Sequence, residues 1–162
     1  MSSPVAAVFQ RLTQGVYVVG VAHGEMRNAF TAAWVMQVSF DPLLLALSIN
    51  PHHSSYRLLE ESRAFSVNVL KKDQLDLAEH FGRPTDDKLA GIKWTTDKLG
   101  LPRHWPGLSA RSQANITPGD HVLVLGKVIG GKLLDAEAEP MCYRDTGEMD
   151  GASVLFPDAF GD

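Results

Sequence analysis

Hydrophobic residues in the first third of the chain fall into runs typical of β-strands. Residues 15–22 are rich in β-branched and aromatic side chains, which predicts a strand followed by a turn at residues 23–28. A second strand is predicted over residues 29–40. Residues 43–49 are apolar on both faces, as in a strand buried in a barrel or under helices, and Pro51 ends it because proline cannot donate to the ladder.

Two short helices are predicted to interrupt the strands. The hydroxyls of Ser54 and Ser55 can cap a helix over residues 56–61, and Asp73 can cap a second one. Three apolar residues of the second helix share one face at a spacing of three: Leu75, Ala78 and Phe81.

Strands resume after the helices, at residues 65–70 and again at residues 121–129. Most strands follow one another without an intervening helix, which favours a closed antiparallel barrel over a doubly wound sheet. The predicted fold class is therefore mainly β with flanking helices. Neither a repeat nor a flexible linker divides the sequence, so we expect a single domain over residues 1–162.

Composition narrows the class of protein. The 162 residues are 44% hydrophobic and 21% charged, which is too apolar for intrinsic disorder. A net charge of −4 with scattered Lys and Arg argues against nucleic acid and anionic membranes as partners. A run of about 18 apolar residues that could cross a bilayer is absent, and so is a secretory signal pattern. We therefore expect a cytoplasmic protein.

Cysteine and histidine patterns argue against metal chemistry. Cys142 is the only cysteine, which excludes a disulfide framework, a thiolate zinc site and a cysteine-held iron–sulfur cluster. The adjacent His52 and His53 point to opposite faces of an extended chain and form a poor pair for one metal ion. The P-loop, the serine-nucleophile elbow and the Rossmann glycine pattern are also absent. No metal is expected.

Hydrogen-bonding side chains cluster where the apolar strand ends. Ser48, Asn50, Ser54 and Ser55 lie between that strand and the first of the two helices, and free N–H groups at a helix start favour an anion. Arg83 follows the second helix and can add a bidentate positive partner. These residues fit an anionic ligand, although serines there more often act as caps and a loop arginine is more often solvated.

Six segments occur in an order that matches one known family. They are NAFTAAWVMQVSFDP (28–42), SINPHHSS (48–55), FSVNVL (65–70), LAEHF (77–81), DKLAGIKW (87–94) and GDHVLVLGKV (119–128). Together they resemble the flavin reductase-like, FMN-binding split-barrel family over about residues 8–144, nearly the whole chain.

The resemblance implies a split β-barrel that forms a homodimer and binds FMN near the subunit interface, with FAD as an alternative. It implies an oxidoreductase that transfers hydride from NADH or NADPH to flavin N5 without a Rossmann domain and can supply a partner monooxygenase. Two other functions stay open. One is an electron-transfer flavoprotein with tightly bound FMN that serves a redox protein, and the other is a non-catalytic flavin- or haem-binding barrel.

The resemblance also assigns residues to parts of the cofactor. Thr31, Ala32, Ala33 and Trp34 would lie against the isoalloxazine edge, where small side chains let backbone N–H groups approach the ring. The other assignments are Asn28 in the same segment; Ser48, Ile49 and Asn50 at the ribityl chain; Ser54, Ser55 and Arg83 at the phosphate; Phe81 at the dimethylbenzene end; and His121 near the nicotinamide or flavin. Trp34 can equally be a packing residue, and His121 a structural turn histidine.

Overall fold

The computed structural model describes residues 3–103, 107–133 and 135–159. In chain order its elements are α1 (Pro4–Phe9), β1 (Tyr17–His23), β2 (Met26–Ala32), β3 (Val35–Ser39), β4 (Leu44–Ile49), α2 (Tyr56–Ser62), β5 (Ala64–Val69), α3 (Leu75–Gly82), β6 (Thr95–Thr96), β7 (Pro102–Arg103), β8 (Gly107–Ile116), β9 (Val122–Lys132) and two 3-10 helices, Tyr143–Thr146 and Ala152–Leu155. The mainly β class with flanking helices is confirmed. In this part of the chain, none of the helices is long and apolar enough to cross a bilayer.

Within the described residues, seven strands form one antiparallel sheet in the order β2-β1-β5-β8-β9-β4-β3. The order leaves β2 at one edge and β3 at the other, although only Ala33 and Trp34 separate them along the chain. Ladder hydrogen bonds therefore do not close the sheet between β2 and β3. The expectation of a closed barrel is wrong at this junction, and the two free edges agree with a split sheet.

The predicted strand over residues 29–40 is divided at this junction. The Val35 amide donates to the carbonyl oxygen of Ala33 at 3.1 Å, which turns the chain tightly between β2 and β3. The Ser48 amide then donates to the Trp34 carbonyl oxygen at 3.0 Å and ties the junction to β4. One continuous run of sequence thus supplies both edges of the sheet.

Two apolar clusters fill the two sides of the sheet. The side chains of the first are Val19, Val21, Phe30, Leu45, Leu47, Ile49, Leu58, Leu59, Phe65, Val67, Ala110, Val122 and Val124. Those of the second, against which α3 packs, are Val16, Val18, Ala29, Leu70, Ala78, Phe81, Leu89 and Met141. Ala78 and Phe81 share the buried face of α3 as expected, but Leu75 is 44% exposed at the start of the helix.

The predicted side-chain caps of both helices are wrong. Ser55 immediately precedes α2, but its hydroxyl makes no capping bond and instead accepts from Nδ2 of Asn28 at 2.8 Å. Gln74, not Asp73, immediately precedes α3, again without a side-chain cap. The pairing of Ser55 with β2 outcompetes local capping, because Ser55 is buried against that strand.

Candidate functional site

The open edge of β2 presents backbone amides to a cleft. The Ala29 amide donates to the side-chain oxygen of Asn28 at 2.9 Å, so it points away from β1. Alternation along a strand directs the Thr31 amide to the same open side. Ala32 and Ala33 continue this edge and are half-buried, with side chains small enough to leave the backbone accessible. The edge can therefore donate hydrogen bonds to the polar rim of a planar ligand.

The cleft beside this edge has two lobes. The first, the Arg83 lobe, has a volume of about 270 Å³ and is lined by Val16, Thr31, Ala32, Ala33, Glu79, Gly82, Arg83, Tyr143, Thr146, Met149 and Asp150. The second, the His121 lobe, has a volume of about 220 Å³ and is lined by Phe30, Thr31, Ala32, Ala33, Trp34, Ser48, Ile49, Asn50, His53, His121, Tyr143 and Asp150. Because both share the open edge of β2, one elongated ligand or two smaller ones can lie along it.

Trp34 and His121 form an aromatic wall of the His121 lobe. Their ring centroids are 5.0 Å apart with the planes inclined at 53°, and Trp34 remains 43% exposed. Nδ1 of His121 lies 2.8 Å from the Asp120 carboxylate, and this hydrogen bond lowers the pKa of Asp120. Both rings therefore line the cleft rather than the core.

The end of β4 contributes the opposite side of the His121 lobe. Ser48 is half-buried, Ile49 is buried and Asn50 is exposed. The Asn50 side-chain oxygen accepts the His52 amide at 2.9 Å, which shapes the turn that leads to α2. The structure thus brings these three predicted ribityl residues together with the edge of β2.

Arg83 enters the other lobe from the end of α3. The Thr31 hydroxyl donates to the Ala78 carbonyl oxygen at 2.7 Å and holds α3 against β2. Nζ of the buried Lys88 donates to the Phe81 carbonyl oxygen at 2.9 Å in the last turn, and burial lowers the pKa of Lys88. Two hydrogen bonds therefore set the position from which Arg83 reaches the cleft.

Several predicted site residues are placed differently. Ser55 is fully buried. Its hydroxyl accepts a hydrogen bond from Asn28 and is not directed to solvent. Ser54 is exposed but lines neither lobe. Phe81 is fully buried, 4.9 Å from the ring of His80, and the expectation that it walls a bound ring is wrong because it faces the core beneath α3.

Tyr143 and Asp150 lie where the two lobes meet, and no motif in the sequence identifies them. The Tyr143 hydroxyl donates to the Asp150 carboxylate, and burial together with this carboxylate raises the pKa of Tyr143. Gly147 and Gly151 have positive φ angles of 61° and 63° and turn the chain on either side of Asp150. In the sequence, these two glycines four residues apart are the local feature that indicates this turn.

His53 lies in the His121 lobe with its ring 4.6 Å from that of Phe30. Its Nδ1 accepts the Ser55 amide at 3.1 Å, so this nitrogen carries no proton. Burial, with the charge of Lys88 as a smaller cause, lowers the pKa of His53. In the described part of the chain, no group of three His, Cys, Asp or Glu side chains could hold a metal ion.

The free energy of unfolding should decrease as the pH falls from 7 to 5. Below the ordinary histidine pKa of 6.5, the unfolded chain takes up a proton at residue 53 before the folded chain does. Urea unfolding at pH 7 and at pH 5 measures this decrease, and the decrease in the free energy of unfolding should be smaller for His53→Gln than for the wild type. His52→Gln, at the exposed neighbour, is the control and should keep the wild-type difference. An unchanged pH difference in His53→Gln would contradict this account.

Sequence comparison relates the chain to known proteins. The flavin reductase like domain matches residues 9–152. An NADH-dependent FMN reductase of Streptomyces nodosus subsp. asukaensis is 30% identical over 140 residues, covering 82% of this chain and 76% of that protein. The reductase component of a flavin-dependent trigonelline monooxygenase of Acinetobacter baylyi is 34% identical over 103 residues. That match covers 61% of this chain and 33% of the longer relative.

Comparison with solved structures agrees with these sequence matches. An NADH:FAD oxidoreductase of Streptomyces globisporus, in complex with NAD and FAD fragments, superposes with a TM-score of 0.80 and 26% sequence identity. The superposition covers 88% of this chain and 87% of that one. The likeness therefore extends over most of the chain.

Proposed function

The chain belongs to the flavin reductase like domain family, and we propose that it reduces FMN, or alternatively FAD, with NADH or NADPH. The observation that carries the proposal is the open edge of β2, where Thr31, Ala32 and Ala33 line both lobes of one cleft. A reductase of this kind must accept a flavin and a nicotinamide next to each other. Two lobes that share one strand edge meet that requirement.

The residues of the cleft fit a flavin nucleotide. Amides at the edge of β2 can donate to the acceptor atoms of an isoalloxazine ring, and Trp34 and His121 offer aromatic faces against which a ring can pack. Arg83 supplies a guanidinium that can pair with a phosphate. Ser54 is exposed just before α2 and outside both lobes, so its contact with the phosphate stays a prediction from the resemblance alone. When bound, the flavin supplies the two-electron acceptor.

Backbone donors at the edge of β2 favour negative charge on the ring that they contact, because fixed dipoles need no reorganisation. We therefore assign electrostatic stabilisation to the amides of Thr31 and Ala33. His121 has Nδ1 bonded to Asp120, which leaves Nε2 for the carboxamide of a nicotinamide. In this proposal His121 orients the co-substrate.

Anaerobic reduction of the flavin tests the proposed activity. The purified protein is mixed with FMN or FAD, NADH or NADPH is added, and the visible flavin absorbance is followed. Rapid bleaching with at least one pair of substrates is expected. A protein that retains FMN and is bleached only by dithionite would instead be an electron-transfer flavoprotein, and one that binds flavin or haem without reduction would be a carrier.

We further propose that the reduced flavin serves a partner monooxygenase. One relative is named as the reductase component of such an enzyme, which supports this role. The single cysteine and the nicotinamide co-substrate favour the cytoplasm as the location. Oxygenase activity that depends on this protein when flavin and NADH are supplied would support the partnership.

An apolar face of the sheet supports a homodimer. Met36 and Val38 on β3 are 65% and 44% exposed, and Leu43 and Phe40 beside them are 43% and 85% exposed. Helices α2 and α3 pack on β1, β2 and β5, on the other part of the sheet. Pairing about a two-fold axis is the common way to bury such a patch.

Replacing Met36 by glutamate should convert the dimer into a monomer, because each copy would bring an unpaired charge into the apolar contact. Sedimentation should report twice 17.7 kDa for the wild type and the single-chain mass for the variant. Met26→Glu is the control, since Met26 is also 65% exposed but lies on β2. A monomeric wild type, or a Met36→Glu variant that stays dimeric, would overturn the proposed interface.

A further inference from the structure

Arg83 is already paired in the cleft. Nη2 of its guanidinium donates to Oε1 of Glu79, one helical turn earlier, and both side chains line the Arg83 lobe. The side chains are 65% and 48% exposed, respectively, so the pair lies at the mouth of the lobe. A ligand phosphate bound by Arg83 would therefore lie next to the Glu79 carboxylate.

The other charges that line this lobe also act on an anionic ligand. Its ionisable side chains are Glu79, Arg83, Tyr143 and Asp150. The phenol of Tyr143 is neutral at pH 7, so two carboxylates stand against one guanidinium. The lining side chains thus carry a net charge of about −1 before any ligand enters. The carboxylates of this lobe therefore oppose the binding of an anionic group, whereas the guanidinium of Arg83 attracts it.

The fold keeps the pair over the edge of β2. The hydrogen bond from Thr31 to Ala78 anchors the turn of α3 that carries Glu79. A Cβ added at Gly82 would lie 3.9 Å from Thr31 and 4.0 Å from Met149, so the backbone next to Arg83 is close to both sides of the lobe. Glu79 therefore stays within reach of any group that Arg83 binds.

We propose that Glu79 lowers the affinity of the site for phosphorylated flavin, because its carboxylate competes with the flavin phosphate for Arg83. This inference rests on the proposed function and concerns how strongly the same site holds its ligand. A phosphate monoester competes with the Glu79 carboxylate for the guanidinium of Arg83, whereas riboflavin, which has no phosphate, leaves the pair intact. Glu79 thus reduces the affinity that the phosphate adds, and the flavin dissociates as a substrate instead of remaining as a prosthetic group.

The strength of the pair is suited to such competition. Exposed ion pairs spaced i, i+4 on a helix are weak, so a phosphate with two charges can displace Glu79. Repulsion between the released carboxylate and the phosphate then remains. It acts across solvent, and its range shortens as the ionic strength rises.

Glu79→Gln tests the competition by direct binding. Dissociation constants of FMN and riboflavin are measured from flavin fluorescence at low and high salt. The variant should bind FMN about 3- to 10-fold more tightly at low salt, with a smaller gain at high salt. Its affinity for riboflavin should be unchanged, which a general change in folding would not produce. Glu61→Gln, which removes the acid of the exposed i, i+4 pair with Arg57 on α2, should alter neither affinity.

Variants of Arg83 separate this inference from the proposed function. If Arg83→Ala leaves FMN binding unchanged, the assignment of the phosphate to this lobe fails. If Arg83→Ala weakens FMN but Glu79→Gln does not tighten it, only the competition fails. In the double variant Arg83→Ala/Glu79→Gln the gain from glutamine should be smaller than in the single variant, because only the repulsion between the carboxylate and the phosphate is then removed. A gain as large as that of Glu79→Gln alone would overturn competition for Arg83.

Discussion

Arg83→Ala should weaken FMN binding by about 10-fold or more, while riboflavin binding changes little. A hydrogen bond to a charged group contributes roughly 1.5–3 kcal/mol, which corresponds to about 10- to 150-fold in affinity. Because the Arg83 side chain is 65% exposed and paired with Glu79, we expect the lower end of this range. Fluorescence titration of both flavins with the same protein preparation measures the difference.

The comparison of the two ligands is the control in this experiment. Riboflavin has the same ring and ribityl chain as FMN but no phosphate, so partial unfolding would weaken both. Equal losses for the two flavins, or no loss for either, would remove Arg83 from the phosphate site. It would then be a solvated residue that pairs with Glu79 alone.

Ala33→Leu should weaken the binding of FMN and riboflavin alike. Ala33 lies at the junction of β2 and β3 and lines both lobes, where a larger side chain would hold the ring away from the backbone donors. Overpacking a fitted site typically costs about 1–3 kcal/mol, or roughly 5- to 150-fold in affinity. Titration of both flavins, with thermal unfolding to establish that the variant is folded, measures the effect.

Ala33→Gly is the matched control because it leaves the space open, and its affinity should stay close to that of the wild type. Unchanged binding and turnover in a folded Ala33→Leu variant would exclude the edge of β2 from the flavin site. The two variants should also affect the two ligands differently. Arg83→Ala should weaken the binding of FMN alone, whereas Ala33→Leu should weaken the binding of both flavins. Together they locate the two ends of the ligand.

Local sequence patterns predicted several elements of the fold, although α1 and the long strand β8 were missed. The apolar run at residues 43–49 became β4, and the alternating residues 65–70 became β5. These predictions succeed because periodicity and turn residues act within a few positions of one another. The divided strand at Ala33 and Trp34 was missed, since its hydrogen bond to Ser48 comes from a strand that is distant in sequence.

The candidate site was predictable only in part. The residues from Thr31 to Trp34, the end of β4 and His121 lie together in the His121 lobe, and their contact with a flavin stays a prediction. Ser55 and Phe81 did not line the cleft, because burial against Asn28 and against the core decided their orientation. A serine before a helix and a phenylalanine within one have the same local pattern whether they face a ligand or the interior.

By itself, the sequence determined several of the strands, two short helices, the absence of a Rossmann glycine pattern and the family of the chain. Only the tertiary structure decided which edge of the sheet stays open and which side chains meet across it. Tyr143 and Asp150 enter the site from a segment distant in sequence. The contact of Thr31 with α3 places this helix, with its local pair of Glu79 and Arg83, beside the cleft. Such encounters depend on packing between distant segments, because a side chain faces a cleft or the core according to what covers the opposite face of its element.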